Sequence, residues 1–187
     1  FIDVDPLTMN MDVRLIEPAV TQQTRAVLAV HYAGRAPDMG RIARIAREHE
    51  LVVVEDAAQS LGANYCGEPA GTHSDLAAFS FHETKNIISG EGGALAINNP
   101  KFVDRAIIIR EKGTNRQQFL EGLTDKYTWT DIGSSYLPSE LVAAFLSRQL
   151  ANCDEISARR RDIWFSYRKA LSGIEESNSI TLPAAES

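Results

Sequence analysis

Short apolar runs alternate along this chain with stretches whose apolar residues recur at helical spacing. Ala26-Val27-Leu28-Ala29-Val30 reads as a strand and is followed by a turn containing Gly34 and Pro37. Met39, Ile42, Ala43 and Ala46 then share one face of a helix, with Arg41, Arg44, Arg47 and Glu48 on its polar side. Leu51-Val52-Val53-Val54 is continuous and β-branched, the pattern of a strand buried on both faces. Ala77 to Phe81 and Ala94 to Ile97 are two further strands, and Pro100 precedes a helix over Phe102 to Lys112. Strand and helix in this rhythm predict an α/β domain with a mostly parallel sheet.

The segment from Gly113 to Ser135 is long and polar, with aromatic residues at Tyr127 and Trp129 and with Tyr136 just after it. A loop of that length in a compact domain is functional or disordered. Pro138 suits a helix first turn, with Leu141, Val142, Phe145, Leu146 and Leu150 on the apolar face. A second helix is expected over Glu155 to Leu171 and carries Arg159, Arg160 and Arg161. Phe1 to Val4 already reads as a strand, while Thr181 to Ser187 closes no element. Both ends look cut, as in a piece of a longer protein.

The totals narrow the function. The 187 residues carry a net charge of −6, which argues against a nucleic-acid partner needing a basic stripe. No apolar run approaches the roughly 20 residues that span a bilayer. Phe1 to Asp5 lacks the basic and apolar regions of a signal peptide. Cys66 and Cys153 show no metal-type spacing, so neither a disulfide framework nor a metal site is indicated. A cytoplasmic protein is the default expectation.

Ligands of open α/β sheets bind beyond the carboxyl ends of the strands. Val54 runs into Glu55-Asp56-Ala57-Ala58-Gln59-Ser60, and Phe81 runs into His82-Glu83-Thr84-Lys85-Asn86. A carboxylate and a lysine facing one crevice have a specific use with pyridoxal phosphate (PLP). The lysine forms a Schiff base with the cofactor aldehyde, and the carboxylate holds the ring nitrogen protonated. Taken singly, an Asp at a strand end is more often a helix cap and a lysine after a strand is more often merely exposed. His31 also ends a strand, and a structural role suits it at least as well. Gly90-Glu91-Gly92-Gly93 lacks the spacing of a phosphate loop and reads as a tight turn needing positive φ.

Glu55-Asp56-Ala57-Ala58-Gln59, then Phe79-Ser80-Phe81-His82 through Lys85-Asn86, then Gly90 to Gly93, resembles the sugar-nucleotide aminotransferases of the DegT/DnrJ type, PLP fold type I. The resemblance runs over nearly the whole chain. It implies the aspartate aminotransferase-like large domain over residues 1–150, with its N-terminal segment missing. Residues 151–187 would be a helix leading toward a small C-terminal domain. It also implies that Lys85 carries PLP and moves protons, that Asp56 pairs with the ring nitrogen, and that Gln59, one helical turn on, lies near the phenolic oxygen. Ser80 would donate to the cofactor phosphate. Ser135, in Gly133-Ser134-Ser135-Tyr136, stands where the family often has an Asn reaching the neighbouring subunit's phosphate.

The implied partners are a nucleotide-sugar substrate, glutamate as amino donor and a second copy in a homodimer. Ser80 to Asn86, Arg110 to Arg116 and Asp131 to Tyr136 look most like the branch making dTDP-4-amino-4,6-dideoxygalactose. Lys112 and Arg116 are candidates for the nucleotide diphosphate, although a solvated surface is the commoner fate of such residues. The rivals are a PLP sugar dehydratase, disfavoured by Lys85, and a non-catalytic regulator, disfavoured by Lys85 and Asp56 together. A nucleotide-binding dehydrogenase is disfavoured because no glycine fingerprint follows a first strand.

Overall fold

The computed structural model describes residues 1–177 and 180–183. Its centre is a four-stranded sheet in the order β1 (Ala26–Val30), β2 (Val52–Asp56), β5 (Leu76–Ser80) and β6 (Gly93–Ile97). The first three strands are parallel, with Val30 opposite Asp56 and Asp56 opposite Ala78; β6 runs antiparallel to β5, with Gly93 opposite Ser80. The fold is therefore α/β with a mostly parallel sheet. A two-residue hairpin, β3 (Asn64–Tyr65) with β4 (Glu68–Pro69), interrupts the path from β2 to β5.

A one-turn helix α1 (Ile16–Ala19) precedes β1. Helix α2 (Met39–Glu48) crosses from β1 to β2, starting at Asp38, whose carboxylate accepts from the Arg41 amide. It buries Met39, Ile42, Ile45 and Ala46 against Val27, Ala29 and Val53. Full burial of a side chain such as Ile42 stabilises by roughly 1.5–3 kcal/mol, so this seam anchors the domain.

Only that face of the sheet is closed within the described residues. On the other face Leu28 is 57% exposed and Leu95 49% exposed, with Ala78 also open. Val53 is buried as the continuous apolar run predicts, whereas Val52 and Val54 are half-buried. The period-2 alternation of β1, in which Val27 and Ala29 are buried and Leu28 and Val30 are not, shows the same one-sided packing.

Other elements depart from the pattern-based expectation. Phe1 to Val4 forms no strand; Val4 makes an isolated bridge to Met11. Helix α3 (Val103–Arg110) follows a 3-10 turn at Pro100–Phe102 and stops before Lys112, which adopts φ 65°. The 113–135 segment is not a structureless loop. It contains α4 (Arg116–Leu120) and is tied down by Thr114 to Trp129 and Glu111 to Ser135 bridges. The Asn115 carboxamide adds bonds to Lys126 O and the Thr128 amide, at 2.9 and 2.8 Å. Helix α5 (Glu140–Ala151) is capped by Ser139. Helix α6 (Cys153–Glu176) extends beyond the Glu155 to Leu171 expectation at both ends. No described helix is long and apolar enough to cross a membrane. Residues 184–187 of the expected tail lie outside the described residues.

Candidate active site

The carboxyl ends of β1, β2 and β5 point to one edge, and the chemistry-bearing residues collect there. Asp56 ends β2 and Ser80 ends β5, both on the uncovered face of the sheet, with the small Ala78 beside Asp56 in register. Among the described residues Asp56 Oδ1 accepts from the Ala58 amide alone, at 3.1 Å, which leaves carboxylate capacity toward the open face. Ser80 Oγ accepts a long bond from the His82 amide, 3.3 Å, so its hydroxyl proton is available to donate.

Gln59 lies in a turn rather than a helix, three residues past Asp56. Its carboxamide is already oriented. Oε1 accepts from the Ala33 amide at 2.7 Å, which leaves the amino group to face outward. Ala33 reaches it by adopting φ 54°.

Lys85 sits on the loop joining β5 to β6. Three backbone bonds shape that loop: Lys85 N to His82 O, Glu83 N to Gly90 O and Phe81 N to Gly92 O, all 2.9–3.0 Å. The return turn needs Gly90 at φ 84° and Gly92 at φ 144°, as the sequence pattern requires. The Lys85 ammonium makes no hydrogen bond or ion pair among the described residues. It faces a cavity of about 760 Å³ that Gln59 also lines.

The opposite wall of that cavity comes from α6, through Arg160, Arg161, Trp164 and Tyr167. Sequence reading placed Arg160 and Arg161 on this helix but not in the site, and did not single out Trp164 or Tyr167, although the spacing of Arg160, Trp164 and Tyr167 puts them on one helix face. Asp56 and Ser80 do not line this cavity; they approach the edge from the sheet face. Ser135 lies apart from both, exposed, where the 113–135 segment bridges to Glu111. Arg116 is committed elsewhere, with Nη1 3.2 Å from Glu111 Oε2.

Behind the edge lies a buried polar cluster in which His31 has the structural place the sequence allowed it, while its pairing with Glu55 and Ser60 was not foreseen. Glu55 points to the opposite face from Asp56, as strand alternation demands, and is fully buried. Its carboxylate accepts from Gly71 N at 2.8 Å, His73 N at 2.9 Å and Ser74 Oγ at 2.7 Å. His31 Nε2 stands 3.2 Å from Glu55 Oε2, without the alignment of a hydrogen bond. Burial alone would raise the Glu55 pKa. The His31 contact, the Ser74 hydroxyl and the Gly71 amide outweigh it and hold the group down to about 2.

The donor types suit PLP: near the carboxyl ends of β2 and β5 lie an amine without a partner among the described residues, a carboxylate with free capacity, a hydroxyl and a carboxamide, with Lys85 and Gln59 lining one cavity and Asp56 and Ser80 on the uncovered sheet face beside it. The sequence profile of the DegT/DnrJ/EryC1/StrS aminotransferase family matches residues 1–187. The chain belongs to that family. Its aminotransferases are PLP-dependent. GDP-perosamine synthase of Caulobacter vibrioides is 34% identical over 97% of this chain and 47% of its own length. The dTDP-3-amino-3,4,6-trideoxy-alpha-D-glucose transaminase of Streptomyces venezuelae is 36% identical over 88% of this chain and 41% of its own. Among solved structures, DesI, crystallised in the presence of its TDP-sugar product, superposes with TM-score 0.80 at 33% identity. That match covers 91% of this chain and 41% of DesI. The chain thus spans roughly half the length of the relatives it matches.

Proposed function

We propose that this chain is the cofactor-binding part of a sugar-nucleotide aminotransferase and that Lys85 is the residue bonded to PLP. The observation that carries the reading is the unpaired Lys85 amine on the strand edge that also bears Asp56, Gln59 and Ser80. PLP, when bound, supplies an electron sink for the carbanion left after proton loss from the amino-bearing carbon. The protein residues do the rest. With PLP bound, the Asp56 carboxylate would hold a proton on its ring nitrogen by charge, Ser80 Oγ would donate to its phosphate, and the Gln59 amino group would donate to its ring oxygen. The Lys85 amine would hold the cofactor and, when free, would move the proton as general base and acid.

The acceptor is the 4-keto carbon of dTDP-4-keto-6-deoxyglucose, the donor is glutamate, and the product is dTDP-4-amino-4,6-dideoxygalactose. The resemblance over Ser80 to Asn86, Arg110 to Arg116 and Asp131 to Tyr136 supports this branch. The enzyme works as a homodimer in the cytoplasm, with the segment around Ser135 contributed to the neighbouring subunit's site. Ser135 is exposed and apart from the Lys85 cavity of its own chain, as that arrangement needs. Residues 1–150 belong to the large domain, and α6 leads toward the small one.

Peptide mapping after borohydride reduction of the full-length protein should place a pyridoxyl group on Lys85. A label on Lys112 or Lys126 would overturn the assignment. Incubating the enzyme with glutamate and the keto sugar should give a 4-amine that is axial. Large axial–axial couplings at the 4-position in the product NMR spectrum would show the glucose epimer and refute the branch.

A further inference from the structure

We infer that His31 is a positioning residue for the cofactor site: its ring and its backbone together clasp the turn that presents Asp56 and Gln59. The inference rests on the PLP reading above. The His31 amide donates to Asp56 O at 3.0 Å, at the start of the turn. Its Nδ1 lies 3.2 Å from Ser60 Oγ, at the end of the same turn. Ser60 in turn closes on Ala57, whose carbonyl accepts from the Ser60 amide at 3.0 Å. Two residues past His31, the Ala33 amide fixes the Gln59 carboxamide. The short 31–33 stretch therefore holds the beginning, the end and one side chain of the 56–60 turn.

The clasp is built from groups hidden from solvent. His31, Glu55 and Ser60 are 0%, 0% and 1% exposed; His31 and Glu55 lie behind the cavity that Lys85 lines, and Ser60 alone of the three borders it. A carboxylate 3.2 Å from Nε2 favours the tautomer with the proton on that nitrogen, leaving Nδ1 to accept from the Ser60 hydroxyl. Glu55 is itself pinned by three donors from the 71–74 segment. The ring orientation thus comes from Glu55, and its consequence reaches Asp56 and Gln59 through Ser60. A serine, a histidine and a glutamate in line resemble a nucleophilic triad, but complete burial excludes that use. Positioning is the role that burial permits.

Three variants of the full-length protein separate positioning from plain stability. Ser60→Ala removes the link between ring and turn while deleting one atom. His31→Gln keeps a donor toward Glu55 but loses the group facing Ser60. His31→Asn does the reverse, since its amide occupies the place of Nδ1. Loss of an outer-shell partner typically costs about 10–100-fold in affinity or activity, an analogy drawn from metal sites. PLP dissociation constants should rise about tenfold in Ser60→Ala and His31→Gln, with altered visible circular dichroism of the bound cofactor. His31→Asn should recover most of the affinity whatever its thermal midpoint. Unchanged affinity in the first two variants would overturn the inference. So would affinity that falls in step with the thermal midpoint across all three. The wild-type protein is the control for the underlying reading: if it takes up no borohydride-fixable PLP at Lys85, that reading fails first.

Discussion

Replacing Glu55 by glutamine removes a buried charge from a site built around it. The carboxylate offers acceptor capacity to Gly71 N, His73 N and Ser74 Oγ and faces His31 Nε2. An amide keeps one acceptor oxygen and turns its amino group toward donors, so at least one buried N–H loses its partner. Breaking such a buried charge interaction costs about 3–5 kcal/mol. The pH dependence gives an independent figure. The folded-state pKa of Glu55 is depressed from 4.5 to about 2, roughly 2.5 pH units. At about 1.4 kcal/mol per unit, that is on the order of 3 kcal/mol.

The sign follows from the direction of the shift. A depressed carboxyl pKa contributes stability above the unfolded-state value and loses it as pH falls through the folded-state value. Wild-type stability should therefore drop between pH 5 and pH 2 by about 3 kcal/mol more than that of Glu55→Gln. The assay is urea unfolding of both apoproteins across that range, read as the difference between them so that other carboxylates cancel. The two curves should converge at low pH. Parallel curves would show that Glu55 has an ordinary pKa and that the cluster behind the strand edge is not held by its charge.

Other outcomes follow from the same geometry. Asp56→Asn should keep its thermal midpoint within a few degrees and lose at least about a hundredfold in turnover, the scale of removing one preorganised electrostatic partner; near-normal turnover would reduce Asp56 to a loop residue. Gly133→Ala should destabilise by about 1–3 kcal/mol in thermal unfolding. Its Cβ would collide with the backbone at Gly113 N, and an unchanged midpoint would mean that the 113–135 segment is not seated as described. Mixing a Lys85→Ala protein with one altered at Ser135 should restore some activity through hybrid dimers. No rescue, with subunit exchange shown separately, would count against a shared site.

Much of this site was legible without coordinates because strand ends are legible. Apolar runs stop where polar residues begin, and in an α/β sheet those stops gather at one edge. Asp56, Ser80 and Lys85 could be singled out from that rule and from motif resemblance. The glycines at 90 and 92 announced a turn because no other residue adopts those φ values at little cost. What periodicity could not show was which face of each strand is closed. Val52 to Val54 is apolar on both sides, yet only Val53 is buried, because α2 supplies a cover to one face alone.

Contacts between residues distant along the chain were likewise out of reach. Nothing in a one-dimensional pattern pairs His31 with Ser60, 29 positions away, or gives Glu55 the amides of Gly71 and His73. Sequence placed Glu55 beside Asp56, but alternation sends one carboxylate into the interior and the other to the uncovered sheet face. Their different fates come from what meets each face after folding. Local chemistry and the order of elements were determined by the sequence alone. Which carboxylate is a structural anion and which is left free was decided by the tertiary packing, since burial and partner count set the energy of a charge.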